Sequence, residues 1–188
     1  TGYLLPRLQE GKTIEKGNIP DNPSMEKYWH LLTELERELW DFDLGDEYIL
    51  ERHGAVEDTT LMVGQQQYKA VIIPGDMKNM RGSTYELVRK FAENGGAVLC
   101  CGRPGAYIDG KVSEKALVDL FSLEHLSILD TVDETFQLLN QLIGKNIETP
   151  VPLPHGFHHI CKTLEDGISV HFWANHSDST VETEFTVP

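Results

Sequence analysis

Two apolar runs, "AVIIP" (Ala70–Pro74) and "AVLCC" (Ala97–Cys101), flank a stretch with helical periodicity. Uninterrupted runs of this length suit strands buried on both faces. Between them, Ser83-Thr84-Tyr85-Glu86 has the form of a capping box. The Ser83 hydroxyl would accept from the Glu86 amide, and the Glu86 carboxylate would reach back. Leu87, Val88, Phe91 and Ala92 supply the buried stripe, and Gly95 supplies the stop. A strand–helix–strand unit of this length calls for parallel strands joined by a right-handed crossover. That requirement places the chain among α/β folds.

The rest of the chain is arranged around this unit. "TGYLLP" reads as a short first strand stopped by Pro6, and "RLQEGKTIEKGNIPDNP" as a polar loop. Asn22 and Pro23 open a helix that carries Met25, Tyr28, Leu31, Leu32, Leu35 and Leu39 at three- and four-residue spacing. It runs to about Trp40, with Glu34, Glu36 and Glu38 mostly in solvent. "DFDLGDEYILERHG" is acidic and fits no single element. Thr131-x-x-Glu134 forms a second capping box and opens a helix with Val132, Phe136, Leu139, Leu142 and Ile143.

"IETPVPLPHG" reads as a Pro-rich linker. It divides the chain into an α/β domain over residues 1–150 and a C-terminal β extension over 151–188. In the extension, "HHICKTL", a turn at Asp166-Gly167, "ISVHFWAN", a turn at His176-Ser177-Asp178 and "TVETEFTV" predict an antiparallel meander. Its last strand would put Val181, Phe185 and Val187 on one face, with Glu182 and Glu184 on the other.

Composition limits the partners. A chain of 188 residues supports one sizeable domain with a core, and a net charge of -14 opposes nucleic acid and anionic membrane surfaces. Neutral substrates such as sugars remain open. No apolar stretch approaches the roughly 20 residues that span a bilayer. The chain starts at Thr1 without Met or signal peptide and stops in a strand-like segment, so it reads as a piece of a longer or processed protein. Cys100, Cys101 and Cys161 make no disulfide framework.

Four features qualify as candidate chemical sites. Cys100 or Cys101 ends a strand at the position where open α/β sheets place nucleophiles, with Arg103 as a nearby cation. Burial of a small side chain at the end of a strand is the stronger reading. His155, His158, His159, His171 and His176 form a histidine-rich region. His158 and His159 are adjacent, though, so on a strand they point to opposite faces, and no HExxH or Cys-x-x-Cys accompanies them. Asp41, Asp43, Asp46 and Glu47 fail the calcium-loop spacing, since the sixth and twelfth residues counted from Asp41 are Asp46 and Arg52. The loop Gly75-Asp76-Met77-Lys78-Asn79-Met80 lies where α/β sheets bind ligands but lacks a phosphate-cradling pattern. No catalytic, cofactor-binding or metal-binding residue is assigned, and no cofactor is expected.

The segments "YKAVIIPGDMKN" and "GGAVLCCGRPG" resemble the class I glutamine amidotransferase-like superfamily, which has a flavodoxin-like fold. Its catalytic members carry roughly Gly-x-Cys-x-Gly. Cys100 and Gly102 match the second half, while Val98 stands at the first glycine and no His-x-Glu pair follows. With "WDFDLGDEYIL" and "HHICKTLEDGISVHFWANHSDSTVETEF" added, the chain looks like the amidotransferase-like domain inside large secreted bacterial glycoside hydrolases. The relatives are the α-L-rhamnosidase-like enzymes and the β-galactosidases with a trimerisation domain.

That resemblance implies a three-layer α/β/α fold with a C-terminal antiparallel β extension leading towards a β-sandwich. It implies a non-catalytic accessory domain that packs on a catalytic barrel or mediates homo-oligomerisation, in a periplasmic or extracellular location. Trp29, Trp40, Trp173 and the C-terminal strands are candidates for the packing surface, with no nucleic acid and no membrane insertion expected. Two alternatives stand beside it: a free-standing cysteine hydrolase or amidotransferase using Cys100, and a carbohydrate-binding module with exposed aromatic platforms.

Overall fold

The computed structural model describes residues 23–75, 77–105, 107–145, 147–150, 153–154, 156–164 and 167–187. The first-strand reading of "TGYLLP", the loop after it, Asn22, His155 and Asp166 therefore lie outside the described residues, as does the Met25 side chain. The chain is mixed α/β. Its centre is a parallel sheet of β4 (Ala70–Pro74), β6 (Ala97–Cys101) and β9 (Leu126–Leu129), in that spatial order. Helices α3 (Gly82–Glu93) and α4 (Glu114–Phe121) make the two connections, and α5 (Val132–Ile143) follows β9.

Alternation along β6 explains the core. Val98 and Cys100 point into one apolar cluster with Val88, Phe91 and Ala92 of α3 and Leu120 of α4. Leu99 points the other way, to Leu139 of α5 and to Leu31 and Leu35 of α1 (Pro23–Arg37). Full burial of Phe91 alone contributes about 1.5–3 kcal/mol. The expectation of strands buried on both faces holds for the middle of β6. On β4 only Ile73 is buried, because β4 ends the described sheet.

The capping box at Ser83–Glu86 does not form. Helix α3 starts at Gly82, its N-cap is Arg81, and no side chain caps it locally. Carboxylates from elsewhere do that work: the Arg81 amide donates to Glu47 Oε1 at 2.7 Å and the Gly82 amide to Asp109 Oδ1 at 3.0 Å. At the other end, the Gly95 and Gly96 amides donate to the Ala92 and Phe91 carbonyls while Gly95 takes φ +95, a paired stop that glycine favours. Helix α5 does carry its expected box, with Thr131 accepting from the Glu134 amide at 3.1 Å and Glu134 accepting from the Thr131 amide at 3.3 Å.

Helix α1 ends at Arg37, short of the expected Trp40. The Leu39 amide donates to the Glu36 carbonyl and the Trp40 amide to the Leu35 carbonyl, with Leu39 at φ +58. This is the same paired stop, built on a leucine. Its side chain is buried with Ile147 and Leu153, against Phe157, Trp173 and Val181.

Several elements carry no sequence period and were not expected. The acidic stretch yields α2 (Glu47–His53), N-capped by Asp46, whose carboxylate accepts from the Tyr48 and Ile49 amides. An antiparallel meander follows, β1 (Gly54–Glu57), β2 (Thr60–Val63) and β3 (Gln66–Tyr68), with Leu61 in the core. A second small sheet joins β5 (Asn79–Met80), β7 (Tyr107–Ile108) and β8 (Lys111–Val112).

At the C-terminus, β10 (Phe157–Thr163) and β11 (Ser169–Asn175) pair antiparallel as expected. The third strand of the predicted meander is absent. Residues 181–187 form one isolated bridge, Thr186 with Glu148, to the stretch read as a linker. The expected faces hold in part: Val181 packs against the Leu39 cluster and Glu182 and Glu184 are exposed, but Val187 is 55% exposed and Phe185, although its ring lies tilted against Trp173, is 37% exposed.

Candidate functional site

The carboxyl ends of the three parallel strands open onto a cavity of about 310 Å³. Parallel strands that diverge into separate helices leave such a crevice as a matter of geometry. Gly75 after β4, Cys101 and Arg103 at the end of β6, and Asp130 and Thr131 after β9 line it, with Lys27 and His30 of α1 opposite. The wall is tight. A Cβ on Gly75 would lie 2.2 Å from the Cys101 carbonyl oxygen and 3.0 Å from the Gly102 Cα.

The two adjacent cysteines face opposite ways. Cys100 is fully buried in the α3 cluster, and burial, with a smaller push from Cys101, drives its thiol up to about 12. Cys101 is half-buried and borders the cavity together with Arg103. Among the described residues, no hydrogen bond joins either thiol to an imidazole. The loop after β4 is split in the same way: Gly75 faces the cavity, Met80 is buried in the core, and Asp76 lies outside the described residues.

The histidines separate by face. His158 lies 3.6 Å from Glu36 Oε2 and edge-on to His176. On the other face of the ribbon, His159 Nε2 lies 3.0 Å from His171 Nδ1, and His171 Nε2 lies 3.9 Å from Cys161 Sγ. The Trp173 ring packs on His159 with centroids 4.2 Å apart. Burial, then His171, lowers the His159 pKa from its ordinary value. The described residues contain no group of three or more His, Cys, Asp or Glu side chains able to hold a metal ion. The thiol–imidazole–imidazole chain was not anticipated. His159-x-Cys161 facing His171-x-Trp173 across the hairpin was its available signal, and it required the strand register.

The acidic stretch has structural duties. Asp46 caps α2, Glu47 caps α3, and Asp43 accepts from the Tyr68 hydroxyl at 2.6 Å. Burial, with that hydrogen bond, pushes Tyr68 up to about 12. Asp41 is raised by burial and by Asp43, and drawn back down by His171.

The tryptophans differ in exposure. Trp29 is 58% exposed on α1, Trp40 is buried with Lys145 Nζ 5.6 Å from its ring, and Trp173 sits among Phe157, His159 and Phe185. The outer face of the β10–β11 ribbon leaves Ile160, Val170 and Phe172 exposed. No helix among the described residues is long and apolar enough to cross a membrane.

Compared with known proteins, the chain matches no family model, no curated protein and no solved structure.

Proposed function

We propose that this chain is a non-catalytic accessory domain of a secreted glycoside hydrolase, with a flavodoxin-like three-layer α/β/α fold and a C-terminal antiparallel extension. The observation that carries the reading is Cys100. The position where a cysteine hydrolase of this architecture keeps its nucleophile holds a sealed thiol pushed up to about 12, without an imidazole in hydrogen-bond contact among the described residues. A thiol in that state is protonated at neutral pH and is a poor nucleophile.

Two further features support the reading. Apolar clusters lie on both faces of β6, as a three-layer arrangement requires. The apolar outer face of β10–β11 suits packing against the parent enzyme's barrel or a second copy.

The test has two arms. Iodoacetamide at pH 7 should leave Cys100 unlabelled in the native chain, and the chain alone should hydrolyse neither glutamine nor aryl glycosides. Sedimentation should show association that Ile160→Thr with Phe172→Thr abolishes. Rapid alkylation of Cys100 would support the hydrolase alternative, and a strict monomer indifferent to the double substitution would remove self-association through this face.

A further inference from the structure

We propose that Cys161 is the reactive thiol of this chain, activated by His171, and that it takes up one RS half of a low-molecular-weight disulfide. The proposal rests on residues other than those behind the accessory-domain reading and stands or falls separately.

Register creates the arrangement. In the β10–β11 ribbon Cys161 pairs with His171 and His159 pairs with Trp173, so all four share one face. Cys161 Sγ lies 3.9 Å from His171 Nε2, within the longer reach of sulfur, and His171 Nδ1 lies 3.0 Å from His159 Nε2. We assign the protons so that the Cys161 thiol donates to His171 Nε2, His171 Nδ1–H donates to His159 Nε2, and His159 keeps its own proton on Nδ1, which is buried without a hydrogen-bond partner among the described residues.

Moving the thiol proton onto His171 disturbs none of these contacts, because the imidazolium donates through both nitrogens. Thiol, base and orienting group thus stand in the order that nucleophilic catalysis uses. Asp41 lies within electrostatic reach of His171. Trp173 packs against His159, and burial, then His171, lowers the His159 pKa and favours its neutral form. Cys161 and Cys101 are both half-buried and Cys100 is sealed, but Cys101 has no imidazole hydrogen bond among the described residues.

The step balances without a further oxidant. The Cys161 thiolate attacks one sulfur of R–S–S–R, a new S–S bond forms as the old one breaks, and the departing thiolate takes the proton from His171 Nε2. The products are a mixed disulfide on Cys161 and one free thiol.

The test treats the whole 188-residue chain with oxidised glutathione between pH 6 and 9, followed by intact mass and peptide mapping. The expected result is one adduct on Cys161, formed at least tenfold faster than on Cys101, with a rate nearly level from pH 6.5 to 8. His171→Gln, its fold checked by circular dichroism, should react at least tenfold more slowly at pH 7, and its rate should climb about tenfold per pH unit. An adduct forming first on Cys101, or a His171→Gln rate and pH profile equal to the parent's, overturns the proposal. Should that variant fail to fold, the unsubstituted chain still decides, since a rate that climbs tenfold per unit from pH 6 to 8 also overturns it.

Discussion

Gly75 and Gly102 touch through their main chains. A Cβ on Gly75 would fall 3.0 Å from the Gly102 Cα and 2.2 Å from the Cys101 carbonyl oxygen, while Gly102 itself sits at φ +95. The contact locks the end of β4 against the end of β6 and shapes the cavity wall. Gly75→Ala must therefore push backbone against backbone, at a cost of about 2–3 kcal/mol. That corresponds to a fall in Tm of roughly 5–10 °C for a chain of this size. Gly110→Ala is the control. Among the described residues nothing lies within 4 Å of a Cβ at that position, so its positive φ of +72 is what opposes a side chain, worth about 1–2 kcal/mol. Scanning calorimetry that finds the two variants equally stable would remove the contact as a constraint.

The sealed thiol has a pH signature. An exposed cysteine in the unfolded chain titrates near 8.5, whereas Cys100 in the folded chain is pushed up to about 12. The folded pKa is the higher one. Its contribution is therefore complete below the unfolded value, and it is lost as pH rises from there towards 12. Between pH 8 and 10.5 the loss from this group should be on the order of 1–3 kcal/mol. Tyr28, Tyr68 and Tyr85 are also raised by burial and slope the same way, so the comparison must be with Cys100→Ala. Urea unfolding at both pH values should show a shallower alkaline loss in the variant. Parallel losses would mean that Cys100 does not titrate between the two states.

What the sequence made legible was whatever repeats or is satisfied locally. Leu31 and Leu35 on α1 and Leu139 on α5 announce their faces through spacing alone, and Thr131 finds Glu134 within its own helix. Ser83 failed because its partner was decided from outside, by Glu47 and Asp109, which lie 34 and 27 residues from the amides they cap. The two- to four-residue strands of the small sheets are too short to show a period. The same holds for the site. Cys100 and Cys101 could be placed at a strand end, but the pairing of Cys161 with His171 depends on hairpin register, which one residue of slip would destroy.

The two capping motifs make a matched pair for mutation. Thr131 accepts a hydrogen bond from the Glu134 amide, so Thr131→Ala should cost about 1 kcal/mol. Ser83 Oγ is buried and has no hydrogen-bond partner among the described residues. Ser83→Ala removes a hydroxyl that gains nothing from the fold, so stability should stay within about 0.5 kcal/mol or rise. Equal destabilisation by the two substitutions, read from urea midpoints, would restore the local box at Ser83.

Leu39 sets backbone strain against burial. Its φ of +58 costs a branched residue about 1–2 kcal/mol relative to glycine, yet its side chain is 4% exposed in the cluster with Ile147 and Leu153. Removing a buried leucine costs about 2–5 kcal/mol, so burial outweighs strain and both Leu39→Ala and Leu39→Gly should destabilise. Their order is the informative part. Within a helix, glycine is worse than alanine by about 1 kcal/mol. Here alanine keeps the strained φ and loses the side chain, while glycine loses the side chain but relieves the strain. Leu39→Gly should therefore be the more stable variant, by about 1 kcal/mol. Chemical denaturation that places Leu39→Ala above it would show that residue 39 does not hold the left-handed conformation in solution.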